Sequence, residues 1–439
     1  MNLYKHQSEA LEATKDKNHV AYYHDMGLGK TYTGAEKMMQ LRAKINLVIC
    51  QKSKIDDWVE HFRTVPNTDG FLVDDVLDLT DKKQYQLFCN LIKLQPDNMP
   101  PRYMAVGIIN YELAFRRLEL AKLKDFTLML DESSLIQNEH AKRSAFILKK
   151  LKPKNVILLS GTPTGGKYER LWSQLHLLGW KISKTMFFDQ FVRFHYEHYL
   201  DFPLQVIDGY KNEERLKRKM REYGCHFLKT EEVFDLPEQI HQTIKVQTTK
   251  EYRKFRKDRI VTLHDPGQYI GDKDFVGDTP LTKMLYERQL CGQYSKAKLE
   301  AFKDLVESTN DRLIVFYNFT EELEALCKIA WDSNRPVAVV NGKQKDLLPH
   351  ENVETSITFI QYQAGAMGLN LQKANKIVYF TPPLSSELFE QSKKRIHRIG
   401  QQKSCFYYYL TCKNSIEERI YQTLAMRKNY TEALFEQEE

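Results

Sequence analysis

Three short segments carry side chains whose types and spacing suit nucleotide chemistry. The first is His24-Asp-Met-Gly-Leu-Gly-Lys-Thr31. Gly27 and Gly29 let backbone N–H groups approach phosphate oxygens, and Lys30 is long enough to reach β and γ phosphates. The Thr31 hydroxyl suits Mg2+, and the helix expected over Tyr32–Leu41 would point its positive end at the anion. His24 stands where the common phosphate-loop pattern has its first glycine. The second segment, Asp131-Glu132-Ser133-Ser134, follows an apolar run. An acid such as Asp131 suits a metal ion, and one such as Glu132 suits orienting and deprotonating an attacking water. The third, Gln391–Gln401, sets Arg395 and Arg398 three apart, which on a helix gives them one face. An arginine aimed at a γ-phosphate neutralises the charge that develops there. Each pattern alone has a plainer reading: a glycine turn, a solvated acidic turn, a solvated basic helix. Ser160-Gly-Thr-Pro163 would link the phosphate site to a second ligand, but alone it reads as an ordinary β-turn.

These segments need a scaffold, and the pattern of apolar runs supplies one. The chain has 439 residues, too many for one ordinary domain. Five strand-sized apolar runs, His19–Tyr23, Asn46–Cys50, Met104–Ile109, Phe126–Leu130 and Asn155–Leu159, alternate with helical patterns. Five more follow at Arg312–Tyr317, Pro336–Val340, Ser356–Gln361, Lys376–Phe380 and Phe406–Leu410. Continuous apolar runs alternating with helices predict an α/β fold with buried parallel strands. Between the two sets the texture changes to Lys, Arg, Glu, Phe and Leu at helical spacing, as in Asn212–Tyr223. We therefore expect two parallel-sheet lobes with a helical region between them. The candidate residues follow strands, where ligands of parallel sheets bind.

Lys and Arg number 65 against 58 Asp and Glu, a net charge of +7. That excess permits a polyanion partner without requiring one. The seven cysteines are scattered, with no CxxC pair, which argues against a zinc site or a disulfide framework. No apolar run is long enough for a membrane span, and MNLYKHQSEA lacks a secretory apolar region, so a cytoplasmic protein is expected.

Taken in order, the segments resemble the superfamily-two helicases, and among them the Swi/Snf-type DNA translocases. Tyr4-Lys-His-Gln7 resembles the family's adenine-reading segment, and Leu47–Phe62 its strand-turn-helix with a Trp. Ile109-Asn-Tyr-Glu112 and Ser160–Pro163 match further strand-end motifs. His226–Pro237 resembles the transition between lobes. Lys298-Leu-Glu300, Leu313–Thr320, Ala364–Leu371, Gln391–Gln401 and Ser415-Ile-Glu-Glu418 continue the match through the second lobe. Some segments depart from the family: the acid motif is DESS, Gln361-Tyr-Gln363 replaces a Ser-Thr-Arg-like run, and Thr381-Pro-Pro383 replaces an acidic loop.

The resemblance implies two RecA-like lobes, residues 1–167 and 241–439, with linker helices opening the second and a helical region at 168–240. It implies ATP and Mg2+ as cofactors, and duplex, forked or branched DNA as partner, with a protein partner for targeting and no membrane. Nucleotide contacts would come from Gln7, Met26, Gly27, Leu28, Gly29, Lys30, Thr31 and Gly368, and metal contacts from Thr31 and Asp131. Lys30, Glu132, Arg395 and Arg398 would be catalytic. Lys52, Ser53, Asn110, Tyr111, Asn318, Ala364 and Gly365 would face nucleic acid. A minimal motor of this kind fits a bacterial or phage-infected cell. The rival readings are a strand-separating DNA or RNA helicase and a non-catalytic nucleic-acid-binding scaffold.

Overall fold

A computed structural model of the chain describes residues 3–94, 98–199, 202–264, 272–365 and 369–435. The chain divides into two compact units, Met1–Val233 with Asn429–Glu439 and Phe234–Lys428.

In the first unit every apolar run expected to be a strand is one. The strands are β1 (His19–His24), β2 (Ile45–Cys50), β3 (Asp75–Asp78), β4 (Ala105–Asn110), β5 (Thr127–Asp131) and β6 (Asn155–Ser160). Alternate side chains of a strand leave opposite faces. Accordingly Tyr23, Leu47, Ile49, Leu128, Leu130 and Leu158 build one core. Their neighbours Tyr22, Val48, Met129, Ile157 and Leu159 build another. Burying each such side chain stabilises the fold by roughly 1.5–3 kcal/mol, and both faces are covered, as a parallel sheet requires. Three helices flank the strand ends used below: α1 (Lys5–Ala13), α2 (Lys30–Leu41) and α3 (Ile55–Thr64).

Residues 168–240 are helical only in part. The helices Trp172–Leu177, Lys184–Phe191 and Glu213–Glu222 are present. Between them, β7 (Val192–Tyr199) and β8 (Phe202–Tyr210) pair as an antiparallel hairpin. Their aromatic and β-branched residues favour strand over helix. The helix Glu213–Glu222 then leads to β9 (Cys225–Leu228), which pairs in parallel with β1. The first sheet thus has seven strands in the order β3-β4-β2-β5-β6-β1-β9.

The next strand, β10 (Gln239–Val246), belongs to the second sheet. The chain therefore changes unit before residue 240, ahead of the expected boundary. A small antiparallel hairpin follows, β11 (Ile260–Leu263) with β12 (Lys273–Val276), where linker helices alone were expected. The second sheet adds β13 (Leu313–Tyr317), β14 (Val337–Val340), β15 (Lys345–Asp346), β16 (Ile357–Gln361), β17 (Lys376–Tyr379) and β18 (Cys405–Cys412). Their order is β10-β18-β17-β13-β16-β14-β15, and β15 alone pairs antiparallel. Beneath this sheet a buried ion pair joins Lys298 Nζ to Glu417 Oε1 at 2.5 Å. Among the described residues no helix is long and apolar enough to cross a membrane.

Candidate nucleotide site

Strands β5, β6 and β1 are neighbours in the first sheet. Their registers set Asp131 beside Leu159 and Tyr23 beside Ser160, so their carboxyl ends are level. The phosphate loop, the acid pair and the Ser160–Pro163 turn therefore emerge side by side. Gly161 faces the loop: a Cβ there would sit 3.2 Å from Met26 Cγ and 3.5 Å from Lys30 Nζ.

The loop turns on Gly27 and Gly29, both in the positive-φ region at 91° and 68°. Only glycine takes that backbone freely, and α2 begins directly after it. Leu28 is buried, while Gly27 is exposed and Met26, Gly29, Lys30 and Thr31 are half-buried. Lys30 Nζ donates to the carbonyl oxygens of His24 at 2.8 Å and Asp25 at 3.1 Å. Helix α1 braces the loop from behind. His6 Nε2 lies 3.1 Å from the Leu28 carbonyl, and Gln7 Nε2 donates to the carbonyls of Leu28 and Gly29, each at 3.3 Å. Gln7 Oε1 accepts from the Tyr4 N–H at 3.0 Å. Gln7, expected at the nucleotide, is thus buried with both ends of its amide engaged within the protein. The role this geometry gives it is to hold the loop.

Asp131 Oδ2 accepts from Trp58 Nε1 at 2.9 Å, which fixes the carboxylate's direction. Burial pushes the Asp131 pKa up; the Trp58 bond and the Lys30 and Lys54 charges oppose the shift without cancelling it. Glu132 turns back through a left-handed backbone, φ 55°. Tyr111 lies under this pair, its OH donating to the Asp131 carbonyl at 2.9 Å. Gln174 ties the acid motif to the turn: its Oε1 accepts from Ser133 Oγ at 2.7 Å and its Nε2 donates to the Pro163 carbonyl at 2.8 Å.

The residues expected to face nucleic acid differ in exposure. Lys52 and Ser53 are exposed on a short 3-10 turn. Asn110, Tyr111 and Ala364 are buried. Asn110 Nδ2 donates to Glu112 Oε2 at 3.0 Å. Asn318 Nδ2 donates to Thr381 Oγ1 at 2.9 Å and to the Pro382 carbonyl at 3.1 Å. Gly365 ends the helix Tyr362–Gly365, and Gly368 lies outside the described residues.

The two arginines do not share a helix face. The helix Ser386–Lys393 stops short of both, and residues 394–400 run as turns and bends. Hydrogen bonds hold the chain off the helical path. Gln401 Nε2 donates to the Gln372 carbonyl at 3.1 Å and the Ala374 carbonyl at 3.0 Å, and His397 Nε2 to that of Pro237 at 2.9 Å. Arg395 is buried, its Nη1 reaching the Leu369 carbonyl at 3.4 Å. Arg398 is half-buried.

Residue type and spacing alone give no role to Trp58, Gln174, His24 or His226. Trp58 and His226 lie inside segments that resemble family motifs, which was a usable signal; Gln174 carried none. The His24 and His226 rings meet through Nε2 and Nδ1 at 2.9 Å. Burial pushes both pKa values below the ordinary 6.5, and for His24 the charges of His226, Lys30 and His6 add to it. A histidine whose pKa is depressed on folding binds fewer protons folded than unfolded. Its contribution is complete above the unfolded value and is lost as pH falls through the folded one. Melting temperature should therefore fall more steeply as pH drops below about 6.5 in the wild type than in His226→Asn. Parallel melting curves against pH would contradict this.

Residues 11–296 match the SNF2-related domain, and residues 297–400 match the helicase conserved C-terminal domain. A curated relative, the SWI/SNF-related matrix-associated actin-dependent regulator of chromatin subfamily A member 1 of Mus musculus, is 23% identical. The match covers 90% of this chain and 39% of the relative. An uncharacterized ATP-dependent helicase of Mycoplasma pneumoniae is 22% identical over 92% of this chain and 39% of its own length. The chain thus spans about two fifths of these relatives. Among solved structures, the Sulfolobus solfataricus SWI2/SNF2 ATPase core in complex with dsDNA gives a TM-score of 0.43 at 18% identity. It covers 98% of this chain and 92% of that one.

Proposed function

Since the chain belongs to the SNF2-related family, we propose that it is an ATP-hydrolysing motor that steps along the phosphate backbone of DNA. The observation that carries this is the adjacency of three strand ends, which brings Lys30, Asp131 and Glu132, and the Ser160–Pro163 turn to one edge. In this reading the glycine loop receives the phosphates through backbone N–H groups, and Lys30 leaves its two carbonyls for the γ-phosphate. Glu132 takes the proton of the attacking water. The donors at hand, the Thr31 hydroxyl and the Asp131 carboxylate aimed by Trp58, are hard oxygens of the kind Mg2+ selects. Mg2+ held there would neutralise phosphate charge. The turn 160–163, joined to the acid motif through Gln174, is placed to pass a change at one to the other. On the nucleic-acid side the exposed Lys52 and Ser53 suit phosphate contacts, which fix position and carry no base information.

The test is the rate of ATP hydrolysis without nucleic acid and with single-stranded, duplex and forked DNA and RNA. We expect stimulation by duplex or forked DNA; a rate indifferent to DNA would overturn the motor reading. Two variants separate binding from chemistry. Lys30→Ala is expected to abolish turnover and spare DNA affinity. Glu132→Gln keeps shape and loses the base, so it should retain ATP while hydrolysing it roughly 10²–10⁴-fold more slowly. Undiminished turnover by Glu132→Gln would remove Glu132 from that role.

A further inference from the structure

The stretch through which the chain leaves the first unit is fastened to the phosphate loop. Strand β9 pairs with β1 from Ala21↔Cys225 to His24↔Leu228, and the Asp25 N–H extends the ladder to the Leu228 carbonyl at 2.9 Å. Side chains add to it. The His24 and His226 rings share the 2.9 Å hydrogen bond described above. Asp25 Oδ2 accepts from the N–H of Thr230 at 3.1 Å and from its Oγ1 at 3.3 Å. Thr230 is 1% exposed, and the chain passes into the second unit after Val233. His24 and Asp25 are also the two residues whose carbonyls receive Lys30. Their backbones hold the phosphate-sensing lysine, and their side chains hold the exit strand.

We propose that residues 225–230 form a latch that responds to nucleotide, with His226 and Thr230 as positioning residues for the phosphate loop. The proposal rests on the reading of residues 25–31 as a nucleotide site. A γ-phosphate offers the Lys30 ammonium a full negative charge, which the peptide carbonyls of His24 and Asp25 do not. A bound γ-phosphate therefore draws Lys30 off the His24 and Asp25 carbonyls. Those two peptide groups then lose a donor and reorient, and the side chains on the same residues move with them. The hold of Asp25 on Thr230 and of His24 on His226 loosens, so the exit strand reads whether the loop is filled.

Hydrogen exchange of the full chain across residues 225–233 tests this, with and without a non-hydrolysable ATP analogue. Analogue binding is measured on the same samples. The Thr230 amide is expected to exchange roughly five-fold faster with the analogue, the equilibrium worth of about one hydrogen bond. In Asp25→Ala and His226→Phe the segment should exchange fast already and no longer respond. His226→Asn, whose amide can reoccupy the Nδ1 position, should keep the response. Unchanged or slower exchange in wild-type protein that binds the analogue overturns the latch and leaves the nucleotide reading standing. Failure to bind the analogue overturns both. The wild-type comparison is decisive by itself, so a variant that folds poorly does not rescue the proposal.

Discussion

Arg398→Ala is expected to lower DNA-stimulated turnover by roughly 10³–10⁵-fold, the worth of an arginine that neutralises charge on a transferring phosphoryl group. Arg395→Ala is expected to fail differently. Arg395 is 3% exposed and its Nη1 is spent on the Leu369 carbonyl, so its loss should lower the melting temperature. Arg398 is half-buried and lies beyond the end of the helix, on a segment pinned by Gln401 and His397. Burial draws its pKa down, yet a guanidinium stays charged at neutral pH. Its removal should leave ATP binding, DNA binding and melting temperature near those of the wild type. Lysine should not substitute, because a point charge does not reproduce the planar fork. The measurement is DNA-stimulated kcat of Arg398→Ala beside its melting curve. Near-normal turnover would reduce Arg398 to a surface charge worth about 0–1 kcal/mol.

The second large effect is on stability. Lys298 and Glu417 are both wholly buried, 2.5 Å apart, and Glu417 Oε2 also accepts the Cys412 N–H at 3.0 Å. Burial works against the Lys298 charge, but the Glu417 carboxylate together with Cys412 and Cys291 offsets it and the amine's pKa is raised; burial raises the Glu417 pKa as well, against the pull of Lys298. Removing one partner leaves an uncompensated charge in the core. Glu417→Ala or Lys298→Ala should therefore cost roughly 3–5 kcal/mol, a large share of a typical domain's 5–15 kcal/mol. Replacing both by apolar residues of similar size, Lys298→Met with Glu417→Leu, should recover most of that loss. Denaturant unfolding of the singles and the double decides it. Singles as stable as the wild type would mean that water reaches the pair.

Much of this molecule follows from local pattern. The ten apolar runs became strands because burial on both faces of a parallel sheet demands continuous apolar residues, and that demand is written in the run itself. The phosphate loop was legible for the same reason: Gly27 and Gly29 adopt positive φ, which the residue type alone permits. Among the strands that no apolar run announced, β3 and β10 include polar residues: Asp75–Asp78 has an acid at each end, and Gln239–Val246 is only partly buried.

Tertiary structure decided what stands next to what. Strand order sets β1 beside β6 although four strands intervene in the chain, and residue composition carries no record of that order. It also reassigned individual residues. Tyr111 and Asn110 occupy a strand end, as their motif implies, but the pleat and the helix that follows bury both. Gln7 turns inward because the carbonyls of Leu28 and Gly29 need donors. The helical spacing of Arg395 and Arg398 was undone by hydrogen bonds to Gln372, Ala374 and Pro237, each distant in sequence. Spacing fixes side-chain direction only while the backbone keeps its period, and long-range hydrogen bonds decide where that period ends.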